Sequence, residues 1–299
     1  MLTHTLAEPT LPSRVVLIGA KGFIASHLRA GLEGHGVQVL AVGSTDIDLR
    51  ADGAGEALAA TLAPGDAVVM LSALTPDRGK GLDTLTANLR MGEAVCSAIA
   101  KVQPAHVVYL SSDAVYRDSE AFVDEGSPAD SSTLYGAMHM IRERMIAHAA
   151  GGAPVAVVRP TLVFGVGDTH NSYGANRFMR AAAKDRVISL FGQGEEQRDH
   201  IYIDDLVRVL KAVLERRSAG VLNAVTGQST SFGDLARVVA SVAGRTLGEV
   251  RVEFKPRSPG PILHRHFDAT ALLRAFPEFR FTPRSDALAL AWRGYAPPA

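Results

Sequence analysis

The feature that most constrains this chain is a short apolar run that keeps returning. "RVVLIGA" (14–20), "VQVLAVG" (37–43), "DAVVMLSA" (66–73), "AHVVYLSS" (105–112) and "PVAVVRPTLVFG" (154–165) are rich in β-branched residues and lack polar alternation. That pattern predicts strands buried on both faces, as in a parallel sheet. Between them lie helical stretches: "FIASHLRAGLEGHG" (23–36) with its glycine stop, then 84–101 and 133–150. Strand–helix alternation predicts a doubly wound α/β sheet, with right-handed crossovers placing helices on both faces.

After about residue 160 the rhythm changes. Glycine, proline and arginine become dense and the elements shorten. "IYIDDLVRVLKAVLERR" returns to a helix with an apolar stripe, and "STSFGDLARVVASVAG" starts another, with Thr230 or Ser231 as its cap. The expected architecture is a Rossmann-like domain over 14–165, joined by late elements from 200–226. A smaller C-terminal α/β substrate lobe is built from 166–199 and 227–299.

Net charge is zero, which leaves no electrostatic footprint for a nucleic acid or an anionic membrane. The single cysteine, Cys96, excludes a disulfide framework and reads as an inert thiol. Residues 1–13 lack a basic start followed by an apolar core, and no apolar run reaches the ~20 residues that span a bilayer. A soluble, cytoplasmic protein is expected, without nucleic-acid or membrane partners. His264 and His266 lie two apart without Cys or Glu ligands nearby, so they read as a surface pair and no metal site is expected. There is no G-x-S-x-G elbow.

The chemistry starts at "GAKGFIA" (19–25), the turn between the first strand of the alternation and its helix. Glycines there let the backbone approach a pyrophosphate, and the helix N-terminus supplies amide donors. Gly19, Lys21, Gly22, Phe23 and Ile24 are candidate cofactor residues, the plain alternative being a tight turn. The tip of the next strand reads "AVGSTDIDLRAD". A carboxylate at that tip would bind the ribose hydroxyls of NAD, but Gly43, Ser44 and Thr45 stand there instead. Lys21 could face a 2′-phosphate, although a loop lysine is also commonly a solvated charge. NADP(H) is therefore favoured over NAD(H). "YLSSDAVY" (109–116) ends a strand in two serines, and Tyr135 follows 23 residues after Ser112 at the start of a helix. A serine hydroxyl and a tyrosine phenol converging on one carbonyl oxygen can polarise it and pass a proton as hydride moves.

Taken in order, "GAKGFIA", "LSA" (71–73), Asn88 in "TANLRMGEAV", "LSSDAVY", "LYGAMH", "RPTLVFG" (159–165) and "FGQGEEQRDHIYIDD" (191–205) resemble the extended short-chain dehydrogenase/reductase family, in its nucleotide-sugar epimerase/dehydratase branch. The resemblance implies Ser112 as the group polarising the substrate oxygen and Tyr135 as general acid or base. It implies Leu71, Ser72 and Ala73 along the cofactor, Asp48 and Leu49 beside the adenine after a short third strand, and Pro160 near the nicotinamide. Asn88 resembles the helix asparagine that supports the site and counts with the cofactor residues. Thr75, Asp113 and Asn176 fall on the substrate side. Arg198 and Arg257 resemble the arginines that clamp a diphosphate, a task suited to guanidinium forks. His170, Asn171 and Tyr173 would lie over the sugar or form a solvated crossover.

The sequence departs from the family at position 139. Where the pattern has tyrosine, three residues, lysine, this chain has His139. A histidine can hydrogen-bond the nicotinamide ribose and orient the phenol, but near pH 7 it is mostly neutral and a poor substitute for the lysine charge. The phenol should then stay protonated, which suits ketone reduction better than alcohol oxidation. The alternative is a surface or packing histidine in an enzyme of low activity. Asp113 is followed by Ala114 rather than glutamate, so dehydration is not expected, and it also occupies the place of the cysteine used by epimerase-reductases of the GDP-fucose synthase type. The resulting expectation is an NAD(P)-dependent 4-keto reductase or epimerase acting on a nucleotide diphosphate sugar. It would work as a homodimer paired through the helices at 84–101 and 133–150. The competing expectation is a non-catalytic NAD(P)-binding regulator of the same fold.

Overall fold

The computed structural model describes residues 2–118, 121–171, 174–259 and 264–296. The chain enters through β1 (Thr3–His4) and alternates β2 (Arg14–Ile18), α1 (Phe23–Glu33), β3 (Gln38–Val42), α2 (Ala54–Ala59), β4 (Ala67–Met70), α3 (Leu82–Val102) and β5 (His106–Leu110). A 3-10 turn (Asp113–Val115) and the short β6 (Phe122–Val123) lead to α4 (Leu134–Ala149), β7 (Val155–Pro160) and β8 (Leu162–Phe164). Next come α5 (Ala175–Asp185), β9 (Val187–Phe191), β10 (Gln197–Arg198), β11 (His200–Tyr202), α6 (Ile203–Glu215) and β12 (Ser218–Ala224). The last elements are β13 (Thr230–Ser231), α7 (Phe232–Leu247), β14 (Arg251–Lys255), β15 (His266–Phe267), α8 (Thr270–Ala275) and α9 (Arg284–Trp292).

The apolar runs form the expected parallel sheet. Among the described residues seven strands join in the order β1-β12-β7-β5-β4-β2-β3, with only β1 antiparallel, pairing Thr3 with Ala219. Alternate side chains of each strand enter separate cores. Val15 and Leu17 join one cluster, Val16 and Ile18 the other, as do Val69 and Val68 of β4. Burial on both faces explains why these strands read as continuous apolar runs. The order reverses at β2, which has β3 on one side and β4 on the other. Ligands in such sheets bind outside the strand ends at that reversal. No helix among the described residues is long and apolar enough to cross a membrane.

Several details differ from expectation. The short third strand does not form: no strand lies between β3 and α2, and the segment turns on itself. Asp46 accepts the Gly43 N–H at 2.8 Å and Asp48 that of Arg50 at 3.0 Å, so side-chain turns displace a ladder there. The run at 154–165 is two strands, because β7 ends at Pro160 while β8 pairs with β11 away from the main sheet. Residues before 14 also contribute, through β1 at the sheet edge. Ser231, rather than Thr230, caps α7, accepting the Asp234 N–H at 3.0 Å.

Polar contacts fix the position of α4, the helix that carries Tyr135 and His139. Thr133 caps it, accepting the Gly136 N–H at 3.1 Å. Glu143 then locks it to the sheet, receiving Arg159 of β7 at 2.6 and 2.9 Å and the Ser111 hydroxyl at 2.5 Å. Arg159 also donates to the Tyr116 hydroxyl at 2.9 Å, which in turn donates to Asn223 of β12 at 2.7 Å.

His106, His139 and His200 are buried, and burial pushes them down to about 4, about 3 and about 3. They are neutral when folded and take up protons on unfolding below the ordinary histidine value near 6.5. A depressed folded pKa contributes stability that is present above the unfolded value and is lost as pH falls towards the folded one. Urea unfolding is therefore expected to weaken by up to about 1.4 kcal/mol per pH unit per histidine between about pH 6.5 and about pH 4. His139→Gln should flatten that slope by one histidine's share, and a slope parallel to wild type would refute the assignment.

Candidate active site

At the sheet reversal the glycine loop meets the end of β4. Gly19 has φ of 106°, and a Cβ there would stand 2.8 Å from the Ser72 nitrogen. Only glycine permits this approach in that conformation. Gly22, Phe23 and Ile24 open α1 behind it, and the Leu71 N–H bonds to the Ile18 carbonyl at 2.9 Å. Leu71, Ser72 and Ala73 thus border the crevice beside the glycine loop.

Lys21 is exposed, and its stem runs beside the β3 tip: a Cβ on Gly43 would lie 3.8 Å from Lys21 Cγ. Ser44 is exposed at the same tip, while the Asp46 carboxylate turns back onto Gly43. Asp48 is held down to about 2 by the Arg50 guanidinium, which it meets twice at 2.8 Å, and Leu49 is buried in the core. Pro160 is buried at the end of β7.

Ser112 lies two residues past the end of β5 and caps the 3-10 turn, its Oγ accepting the Ala114 N–H at 3.1 Å. The first turn of α4 packs directly on that turn. A Cβ on Gly136 would fall 2.0 Å from the Ala114 carbonyl oxygen, so glycine at 136 is what lets Tyr135 sit beside the strand end that carries Ser112. A cavity of about 310 Å³ opens here, lined by Pro76, Lys80, Leu85, Ala114, Tyr135 and Met138 among others.

His139 is not a surface residue. It is 2% exposed, and its ring meets Tyr135 edge-on with centroids 4.7 Å apart. Its Nδ1 bonds to the Tyr109 hydroxyl at 2.7 Å. Burial keeps the imidazole neutral, and the Arg142 charge acts in the same direction. Burial also pushes the Tyr135 phenol up to about 12; Asp113 and Asp77 push the same way and Arg142 opposes. At neutral pH the pair is therefore a protonated phenol beside an uncharged ring.

Two buried polar atoms at this site, Ser72 Oγ and His139 Nε2, have no protein partner among the described residues. Buried polar groups are normally satisfied, so these orphans call for a partner. A nicotinamide dinucleotide fits the arrangement. The Gly19–Ser72 cradle, the opening of α1 and two orphaned hydrogen-bonding atoms would hold its phosphates, hydroxyls and amide.

Other predicted residues have partners within the protein. The Asn88 amide is spent on Leu74, accepting its N–H at 2.8 Å and donating to its carbonyl at 3.0 Å, so it braces the cofactor loop. The Asn176 Oδ1 accepts from the Gly165 N–H and the Tyr295 hydroxyl, and its Nδ2 donates to Asp168 and the Val163 carbonyl. Its buried side chain ties the end of β8 to the start of α5. Thr75 donates to Asp77 at 2.5 Å. Arg198 pairs with Glu196 at 2.6 Å, and Arg257 is partly exposed just past β14. His170 lies 3.6 Å from Asp77, Asn171 accepts from Arg180 at 3.1 Å, and Tyr173 falls outside the described residues.

Sequence reasoning missed two buried arginines. Arg265 donates to the carbonyls of Asp113 at 3.2 Å and Arg117 at 2.9 Å. With Arg198 it opposes the rise that burial imposes on the Asp113 carboxyl. The signal was the alternation of "HRH": His264 and His266 stack on one side at 6.3 Å, which turns Arg265 the other way. Arg142 was legible as one more position on the stripe 135, 139, 142, 146. No group of metal-binding side chains occurs among the described residues. Cys96 is partly buried, and burial raises its thiol to about 11, in keeping with an inert role.

The chain is similar to known proteins over most of its length. The family model described as NAD dependent epimerase/dehydratase family matches residues 15–225. The dTDP-4-dehydro-6-deoxy-D-allose reductase of Streptomyces bikiniensis is 26% identical over 86% of this chain and 89% of its own length. Among solved structures, a GDP-L-fucose synthetase from Naegleria fowleri bound to NADP superposes with a TM-score of 0.83 at 18% identity, covering 99% of this chain and 97% of that one. The UDP-glucose 4-epimerase of Thermus thermophilus in complex with NAD superposes at 0.79, with 18% identity and 94% and 98% coverage. At such identity these two structures establish the fold.

The Gly136 contact yields a direct test. Gly136→Ala must shift either α4 or the 112–114 turn, and is expected to cost roughly 2 kcal/mol or more in urea unfolding. A variant as stable as wild type would show that α4 does not pack as described.

Proposed function

The chain belongs to the NAD dependent epimerase/dehydratase family, and from that premise we propose that it is an NAD(P)-dependent nucleotide-sugar oxidoreductase, a 4-keto reductase or epimerase, with Tyr135 as its acid/base. The observation that carries the reading is the half-buried Tyr135 phenol, protonated at neutral pH, standing one turn from a neutral His139. The bound nicotinamide supplies the hydride donor or acceptor. Tyr135 gives its proton to the sugar oxygen as a ketone is reduced, or takes one in the reverse direction. Ser112 holds that oxygen by hydrogen bonding, and His139 offers Nε2 to the cofactor ribose. A phenol that keeps its proton favours the reductive direction. The substrate is a nucleotide diphosphate sugar, its phosphates held by Arg198 and Arg257 and its sugar near Thr75 and Asp113. Relatives support this class: they include the reductase above and an ADP-L-glycero-D-manno-heptose-6-epimerase.

NADP(H) is preferred over NAD(H) in this reading, because Lys21 flanks the β3 tip and Asp46 is turned back onto Gly43. Two copies pair through α3 and α4, where Leu82, Leu134 and Ile141 are exposed.

Tyr135→Phe is expected to lower turnover of a 4-keto nucleotide sugar about 10²- to 10⁴-fold while NADPH still binds, read by cofactor fluorescence. Unchanged turnover would remove Tyr135 from the mechanism. If neither wild type nor variant turns over any nucleotide sugar while both bind cofactor, the regulator reading takes its place. Separately, Lys21→Ala should weaken NADPH by about tenfold or more and leave NADH nearly unchanged. Equal effects on both cofactors would mean that Lys21 does not read the 2′-phosphate.

A further inference from the structure

Arg142 is fully buried and occupies the same face of α4 as Tyr135 and His139. Its Nε donates to the Asn88 carbonyl at 2.9 Å, one Nη joins it there, and the other donates to the Ser72 carbonyl at 2.8 Å. It also lies against the Tyr109 phenol, which bonds His139. α3 makes room for it with Gly92, where a Cβ would stand 3.2 Å from both Arg142 Cγ and Nε. The neighbouring carboxylate, Glu143, is taken by Arg159 and Ser111. Among the described residues no carboxylate pairs with Arg142; its acceptors are main-chain carbonyls.

That is an unusual way to bury a charge. A guanidinium does not give up its proton, and buried charges are normally paired. Carbonyl dipoles satisfy its N–H groups without cancelling its unit charge. In a poorly screened interior the charge therefore acts on whatever ionisable group faces it. Those groups are Tyr109 of β5, Tyr135 and His139 of α4, and Cys96 of α3.

We propose that Arg142 is a positioning residue for the redox site, supplying from one turn further along α4 the positive charge that His139 does not carry, and tying the Ser72 and Asn88 carbonyls into the same group. The inference rests on Tyr135 as acid/base and adds how its proton is made mobile. Around Tyr135, Asp113 after β5 and Asp77 after β4 raise the phenol, His139 is neutral, and Arg142 alone lowers it. His139 Nδ1 is tied to the Tyr109 hydroxyl, and its buried Nε2 is left without a protein partner among the described residues.

The test reads the phenol itself. The chain has six tyrosines, so the full-length protein can be labelled with fluorinated tyrosine and titrated by fluorine NMR with oxidised cofactor bound, using Tyr135→Phe to assign the signal. Arg142→Gln should raise the Tyr135 midpoint by about one pH unit, Arg142→Lys should hold it, and His139→Lys/Arg142→Gln should bring it back. Cys96→Asp covers the case in which Arg142→Gln fails to fold. It leaves the guanidinium and its hydrogen bonds in place, sets a carboxylate beside them, and should also raise the midpoint. A Tyr135 midpoint indifferent to Cys96→Asp, or to Arg142→Gln in folded protein, overturns the proposal and leaves Arg142 a structural clamp. Failure of the broader reading looks different: Tyr135→Phe would keep its turnover whatever the titration shows.

Discussion

The site depends on one buried ion pair, Glu143 of α4 with Arg159 of β7. Their side chains are 11% and 7% exposed, and the pair is extended by Ser111, Tyr116 and Asn223 across β5 and β12. An ion pair this deep gains little net stability, since desolvation offsets most of its attraction. Its consequence here is register. A helix docked only by apolar contacts could rotate, but one whose carboxylate must meet a guanidinium and a hydroxyl on the sheet cannot. With position 143 held at one end and Gly136 pressed on the Ala114 carbonyl at the other, Tyr135, His139 and Arg142 have no choice of face.

The electrostatics are a consequence of that placement. Burial, helped by the neighbouring charges, keeps the tyrosine protonated and the histidine neutral, so the pair carries no charge between them. The charge on this face sits on Arg142, held by carbonyl oxygens of the very segments, Ser72 and Asn88, that border the cofactor crevice. On the other side of the reacting centre, Asp113 lies near Arg198 and Arg265. A site is thus bounded by cations on both sides, with protonated or neutral groups at its centre. That arrangement suits an anionic cofactor and substrate reacting through a proton donor.

Much of the fold and the site is legible in the sequence, and the misses share a cause. Residues whose task is set by the backbone around them are readable. Gly19 sits where only glycine fits, Ser112 follows a strand end and caps a turn, and Tyr135 starts a helix. Residues whose task depends on which partner arrives are not. The partners of Asn176, namely Gly165, Asp168 and Tyr295, come from three separate segments and are not visible in its local sequence. Asp48 is similarly captured by Arg50. The expected third strand gave way to side-chain turns at Asp46 and Asp48, a competition that composition does not resolve.

The sequence by itself determined the parallel sheet, the crevice at its reversal and the tyrosine placed there. Continuous β-branched runs can be satisfied only by burial on both faces, and the glycine turn fits a single kind of approach. Only the tertiary structure decided the charges. Whether His139 is charged, and whether Arg142 is neutralised, depends on depth and on partners from α3, β5 and the loop after β4. Those partners lie from 30 to 70 residues away in the chain, brought near by the fold. Local sequence carries no record of the dielectric around a side chain; packing creates it.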